Sequence, residues 1–270
     1  MANLGIFALC AGMVGAPLRI LQWSAYDPQR ELFTGNRVFL LPLFIWIAGM
    51  TVIFFIRSRK LNKRVPAQPF YCPKTGHMVL MTISAFLFIG AGMLGLVKGF
   101  QRFTMWKYAP DSVLLTEPLA LLVCAVLCIP SGVAVLMMGK ESYRGAMHPI
   151  SAVLSVLPAF SGAVWLISIH MAYATDPLLL RYGFVMVAVI FLLLAAYDIS
   201  NIFFEQHHPV RLPFCSAMGI MLGFIALSDR NISLFSRCLL MAFLLYIAGQ
   251  FSAYLDPKDF TPTDSQMEDE

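Results

Sequence analysis

Residues 78–100 read MVLMTISAFLFIGAGMLGLVKGF, an apolar run punctuated by glycines at positions 90, 92, 95 and 99. Gly90, Gly92 and Gly95 fall in the spacing G-x-G-x-x-G, the signature of a dinucleotide-binding turn. Such a turn follows a strand, opens a helix and has an acidic residue about 20 positions on, so that backbone amides face a pyrophosphate. Asp111 stands near that distance, but no strand–helix–strand unit surrounds the stretch. A membrane helix accounts for the whole run. About 20 mostly apolar residues cross the hydrocarbon core, and small residues four apart let a second helix approach closely. Ala91, Gly95 and Gly99 form such a ladder. The stretch is read as a helix-packing face, and no cofactor is expected.

The rest of the chain agrees with that reading. Of 270 residues, 59% are hydrophobic and 13% charged, and the mean hydropathy is +0.75. Soluble domains carry roughly 25% charged residues, so a soluble fold is excluded by composition alone. Apolar runs at 4–21, 38–56, 78–98, 116–138, 150–172, 178–200, 214–228 and 233–254 predict an all-α polytopic transmembrane bundle. About eight spans are expected, or seven if the first run lies in the interface. The first run lacks a basic leader segment in MANLG and is read as a retained helix. Residues 1–254 are expected to form one transmembrane domain, and the acidic tail 255–270 a disordered cytoplasmic end.

The net charge of +4 does not point to nucleic acid, because the basic residues form no stripe. They cluster in RSRKLNKR, residues 57–64, directly after an apolar run. By the bias of Lys and Arg toward the cytoplasm, loops 57–77, 139–149 and 204–213 are expected inside, together with the C-terminus. Six cysteines include no CxxC pair and imply no disulfide framework. Cys124 and Cys128 share a helix face at lipid depth and read as packing residues.

Ionisable residues inside a bilayer are costly and usually functional. Arg19, Glu117, His170, Arg181, Asp229 and Arg237 all fall near the outer ends of their runs, and Asp198 near an inner end. Long side chains so placed are expected to snorkel toward water. Glu117, His170, Arg181 and Arg237 could line an outward-facing pocket. The plainer reading of Thr116-Glu117-Pro118 is a helix start, with Thr116 as cap and Glu117 complementing the dipole. His77, His148, His207 and His208 fall on the expected cytoplasmic side near Cys72 and Glu205, but their spacing suits no metal site. Two prolines lie inside spans, Pro130 in CIPSG and Pro158 in VLPAFSG, each with a serine close behind, Ser131 and Ser161. Each lies eight residues from the shared turn, about 12 Å along its helix, so both are expected at one depth. Broken helices of this kind build substrate sites in transporters, and matched kinks can equally only shape a bundle.

From LPAFSGAVWL (157–166) through YATDPLLLRYGFVMVAVIFLLLAAYDI (173–199) to GIMLGFIALSDRNIS (219–233), the second half resembles a group of bacterial multi-pass membrane proteins. LRIL (18–21), TGN (34–36) and LLPLFIWIAG (40–49) extend the resemblance into the first half. It implies topology and a bacterial inner-membrane address, and supplies no substrate. With no Ser-His-Asp order, HExxH or P-loop, the expected role is non-enzymatic: accessory, interaction or sensing. The alternative is a small-molecule carrier or membrane-embedded binding subunit. The expected partners are the lipid bilayer and an unidentified protein or small ligand.

Overall fold

A computed structural model describes residues 3–27, 32–33, 41–61, 72–108, 115–145, 149–173, 179–204 and 209–255. The TGN segment, most of the basic loop, Asp111, His148, Asp176-Pro177, Glu205, His207, His208 and the acidic tail after residue 255 lie outside the described residues.

Among the described residues the apolar runs fold into eight helices: α1 (Asn3–Trp23), α2 (Leu41–Lys60), α3 (Thr75–Tyr108), α4 (Thr116–Arg144), α5 (Pro149–Ala172), α6 (Leu179–Phe203), α7 (Arg211–Leu227) and α8 (Leu234–Leu255). After α1, strands β1 (Tyr26–Asp27) and β2 (Leu32–Phe33) make a two-residue antiparallel pairing, Tyr26 opposite Phe33. Among the described residues, seven helices are long and apolar enough to cross a membrane. The chain is therefore a multi-pass membrane protein built as a helical bundle.

The helix that falls short is α7, with 17 residues, and not the first run, which forms a helix of 21. At about 1.5 Å per residue, α7 does not reach across the roughly 30 Å hydrocarbon core. It sits inside instead, packed by α1, α6, α8 and α2, and is buried around most of its circumference. A helix apolar on all sides has no reason to keep a polar face outward. Its neighbour α8 is buried almost as fully and touches α3, α6, α7 and α1. The 34 residues of α3 run well past the apolar run at 78–98. Hydropathy marks the depth of lipid, whereas Gln101, Arg102 and Thr104 continue the same backbone helix beyond it.

The glycines of the opening stretch lie in the middle of α3, against α4 and α8. A Cβ at Gly92 would meet the Ala125 carbonyl at 2.9 Å, and one at Gly95 would meet Ala125 Cβ and Phe235 Cε2, both at 2.8 Å. At Gly99 it would strike Leu122 at 2.6 Å. The contact is reciprocal: on α4, a Cβ at Gly132 would come within 2.7 Å of the Ala85 carbonyl. Ala91 is fully buried on the same face. Gly90 has nothing within 4 Å and takes no part. The backbone amides here are spent inside a continuous helix, which leaves none for a pyrophosphate.

One local expectation is corrected. Thr116 does not cap α4: the N-cap position is Leu115, already helical at φ −55° and ψ −31°, with no side-chain cap bond. The helix thus begins before the threonine hydroxyl could accept a bond from it. At the other end Gly145 adopts φ 75° and closes α4, its amide donating to the Glu141 carbonyl at 2.8 Å. That left-handed conformation favours glycine.

Candidate functional site at the connector end

The C-terminal ends of α1, α3, α5 and α7 and the N-terminal ends of α4, α6 and α8 share one end of the bundle, since alternate helices run in opposite directions. The short connector between α7 and α8, residues 228–233, closes over that end. A cavity of about 250 Å³ opens there, lined by Lys98 and Arg102 of α3, Glu117 and Leu121 of α4, Ser168, Ile169 and Tyr173 at the end of α5, and Asn231, Ser233, Phe235 and Ser236 from the connector and α8. Lys98 and Arg102 are four residues apart and so stand on one helix face. Arg102 Nη1 pairs with Glu117 Oε1 at 3.1 Å. Both side chains are partly exposed, so the pair stabilises the fold by at most about 1 kcal/mol.

The connector side of the cavity is held by local bonds. Ser233 caps α8: the Ser236 amide donates to Ser233 Oγ at 3.2 Å, and Ser233 Oγ donates to Ser236 Oγ at 3.1 Å. Tyr173 Oη donates to the Asn231 carbonyl at 3.3 Å and its ring stacks on Tyr182 at 4.9 Å. A smaller adjoining cavity shares Ile169, Tyr173, Asn231 and Ser236 and adds Arg181 and Tyr182. With its amide oxygen turned toward Arg181, Asn231 accepts bonds from Nε at 3.2 Å and Nη2 at 3.1 Å.

Beside the cavities lies a group that the sequence reading did not anticipate. Arg19 does not snorkel. It is wholly enclosed, donating from Nε to Asp229 Oδ1 at 2.5 Å, from Nη1 to Gln22 Oε1 at 2.5 Å and from Nη2 to the Leu180 carbonyl at 2.8 Å. Its guanidinium also stacks 4.3 Å from the Phe184 ring centroid. Asp229, in the connector and equally enclosed, accepts a second bond from Trp23 Nε1 at 2.9 Å. Burial pushes the Asp229 carboxyl upward from its usual range, while Arg19 and the Trp23 indole act against that rise. Arg237 Nη2 donates to the Asp229 carbonyl at 3.1 Å, tying the connector to α8. An arginine facing a fully enclosed carboxylate loses less by staying inside than by stretching to water, because each charge supplies what solvent would. The one available signal was an arginine and an aspartate near the same end of two apolar runs, 210 positions apart.

The residues proposed from sequence therefore separate. Glu117 lines the larger cavity and Arg181 the smaller. Arg237 turns to the connector backbone, and His170, in the last turn of α5, is exposed and lines neither cavity. Pro130 and Ser131 lie inside α4, Pro158 and Ser161 inside the neighbouring α5. Ser131 Oγ donates to the Leu127 carbonyl at 2.7 Å and Ser161 Oγ to the Pro158 carbonyl at 2.9 Å, so each hydroxyl is spent on its own helix. None of the four lines either cavity described. Cys124 and Cys128 are fully buried, and no group of three His, Cys, Asp or Glu among the described residues could hold a metal ion.

A second feature also escaped the sequence reading. The antiparallel α3–α8 seam is polar in places: Ser84 Oγ donates to the Ala242 carbonyl at 2.8 Å, and His77 Nδ1 lies 3.2 Å from the Gly249 carbonyl. Yet His77 Nε2, Gln250 Oε1, Tyr246 Oη and Trp165 Nε1 are buried without a hydrogen-bond partner. Tyr246 and Gln250 stand one turn apart on α8, and Trp165 stacks on Phe243 at 5.7 Å, three residues before Tyr246.

The fold and its polar end define a multi-pass helical membrane protein with a solute-sized cavity under a short connector. Compared with protein-family models, curated proteins and solved structures, the chain has no significant match.

Proposed function

We propose that this chain is an integral membrane protein of non-catalytic role that recognises a small polar ligand in the connector-end cavity, as an accessory or sensing component. The observation that carries this reading is the cavity itself. It joins an apolar floor of Leu121, Ile169 and Phe235 to a largely polar wall of Lys98, Arg102, Glu117, Ser168, Asn231 and Ser233, a lining suited to a polar solute. Its carboxylate is occupied by Arg102, and two of its serines bond to each other. The reading extends to address: the membrane is the cytoplasmic membrane of a bacterium, with the basic segment that follows Arg57 inside and the cavity outside. Arg57, Arg59 and Lys60 in the last turn of α2 support that orientation. Thermal unfolding of the purified chain against a metabolite panel tests the role. A ligand at a hundred times its Kd stabilises the folded state by about 2.7 kcal/mol, which appears as a raised Tm. A melting temperature unmoved by every class of solute contradicts it.

A carrier is the second reading, favoured by the buried groups without partners along α8. Buried polar atoms normally find a protein or water partner, and a hydrated path below the cavity would supply one. Tyr246→Phe separates the two roles. Removing an unsatisfied hydroxyl is neutral or mildly stabilising for a packed core. A carrier would keep that stability and lose uptake in proteoliposomes. Uptake absent from wild-type proteoliposomes as well leaves the accessory reading standing alone.

A further inference from the structure

We infer that the connector-end cavity takes a compact anion, a carboxylate or phosphate group, with Lys98 as its principal charge. This rests on the reading of that cavity as a binding site. The lining holds two cations against one carboxylate, and Glu117 is already committed to Arg102. Lys98, one turn earlier on the same face of α3, forms no ion pair with any described residue and keeps its ammonium donors for a ligand. Ser168 adds a hydroxyl: it is 6% exposed, lines the cavity and makes no hydrogen bond to another described residue. The Asn231 amide and Ser236 hydroxyl stand on the connector side. A cationic ligand would meet Lys98 and Arg102 together, and a neutral one would leave the lysine desolvated without compensation. At about 250 Å³ the space lies just under the roughly 300–1,000 Å³ of drug-sized pockets, which favours a small solute or a single head group.

The same chemistry could arrive on a free solute or on an anionic lipid, and the test separates them. Thermal unfolding of the full chain in neutral detergent is read against succinate, inorganic phosphate, choline and glycerol at one ionic strength. It is repeated in nanodiscs with and without phosphatidylglycerol. A raised Tm with succinate or phosphate identifies a soluble anion, and one seen only with phosphatidylglycerol identifies a lipid head group. In either case Lys98→Gln should weaken the effect about tenfold or more, the loss expected for a charge-assisted hydrogen bond. Lys98→Arg should retain it. The unliganded Tm of each variant is the reference from which its ligand-induced shift is read. Stabilisation by choline or glycerol but by no anion overturns the ligand class and leaves the binding reading intact. Anion stabilisation unchanged in Lys98→Gln overturns the assignment to this cavity. No effect from any of these probes overturns the inference, and the binding reading falls with it only if the wider metabolite panel also leaves the Tm unmoved.

Discussion

At the scale of single residues, space and satisfaction decide what each position tolerates, and the first and last glycines of the opening motif illustrate it. Gly95 has Ala125 and Phe235 where a side chain would begin, while Gly90 has open space. Gly95→Leu should therefore push α3 from α4 and α8 and cost about 1–3 kcal/mol, the range for overpacking a filled interior. Gly90→Ala should be neutral or raise stability by up to about 1 kcal/mol, because alanine loses less backbone freedom in a helix. Reversible unfolding in mixed micelles measures both. Equal tolerance at the two positions would mean that α3 turns this face to lipid. The small-residue ladder was legible in the sequence because its spacing alone places Gly95 and Gly99 on one stripe. Which helix covers the stripe was not, since a period of 3.6 says where a face is and nothing about its neighbour.

Among the elements, α1 and the α7–α8 connector depend on each other through charges that the chain order keeps far apart. Arg19 and Asp229 have no solvent exposure, so removing one leaves the other buried and uncompensated. Arg19→Met or Asp229→Leu alone should cost about 3–5 kcal/mol, whereas the double replacement should lie much closer to wild type. A double-mutant cycle on thermal unfolding gives the coupling. Single losses that simply add would show the two charges to be independently solvated. Because Asn231 stands two residues beyond Asp229 in the same connector, the singles should also weaken the ligand binding proposed for the cavity, which neither residue lines. Sequence reasoning identified Arg19 and Asp229 as charges near helix ends and assigned them to the interface. Depth along a helix was readable from residue count, but enclosure by α6 and α8 was not. The cap assigned to Thr116 failed for a related reason: residue type names a good cap, and backbone geometry decides whether the helix has already begun.

For the whole molecule, composition and eight apolar runs were enough to define a membrane bundle, and each of the seven long helices among the described residues grows from one of them, α3 extending well beyond its run. What the runs could not convey is that the shortest, α7, is the most enclosed, because hydropathy does not distinguish lipid from protein as the apolar surroundings. The candidate site was legible in part. Glu117 and Arg181 reach the cavities, but Lys98, Ser168 and Asn231 carry no individual signal and gain meaning only when α3, α5 and the connector converge. The central claim is that this convergence forms a solute-sized cavity at the end of the bundle opposite the basic end of α2. The most direct measurement introduces a single cysteine at Ser168, and separately at Lys60, in a background without native cysteines. Each is exposed to an impermeant thiol reagent in intact cells. The account predicts labelling at position 168 and protection at position 60 until the membrane is permeabilised. Protection of position 168 before and after permeabilisation, or labelling of position 60 in intact cells, would contradict it.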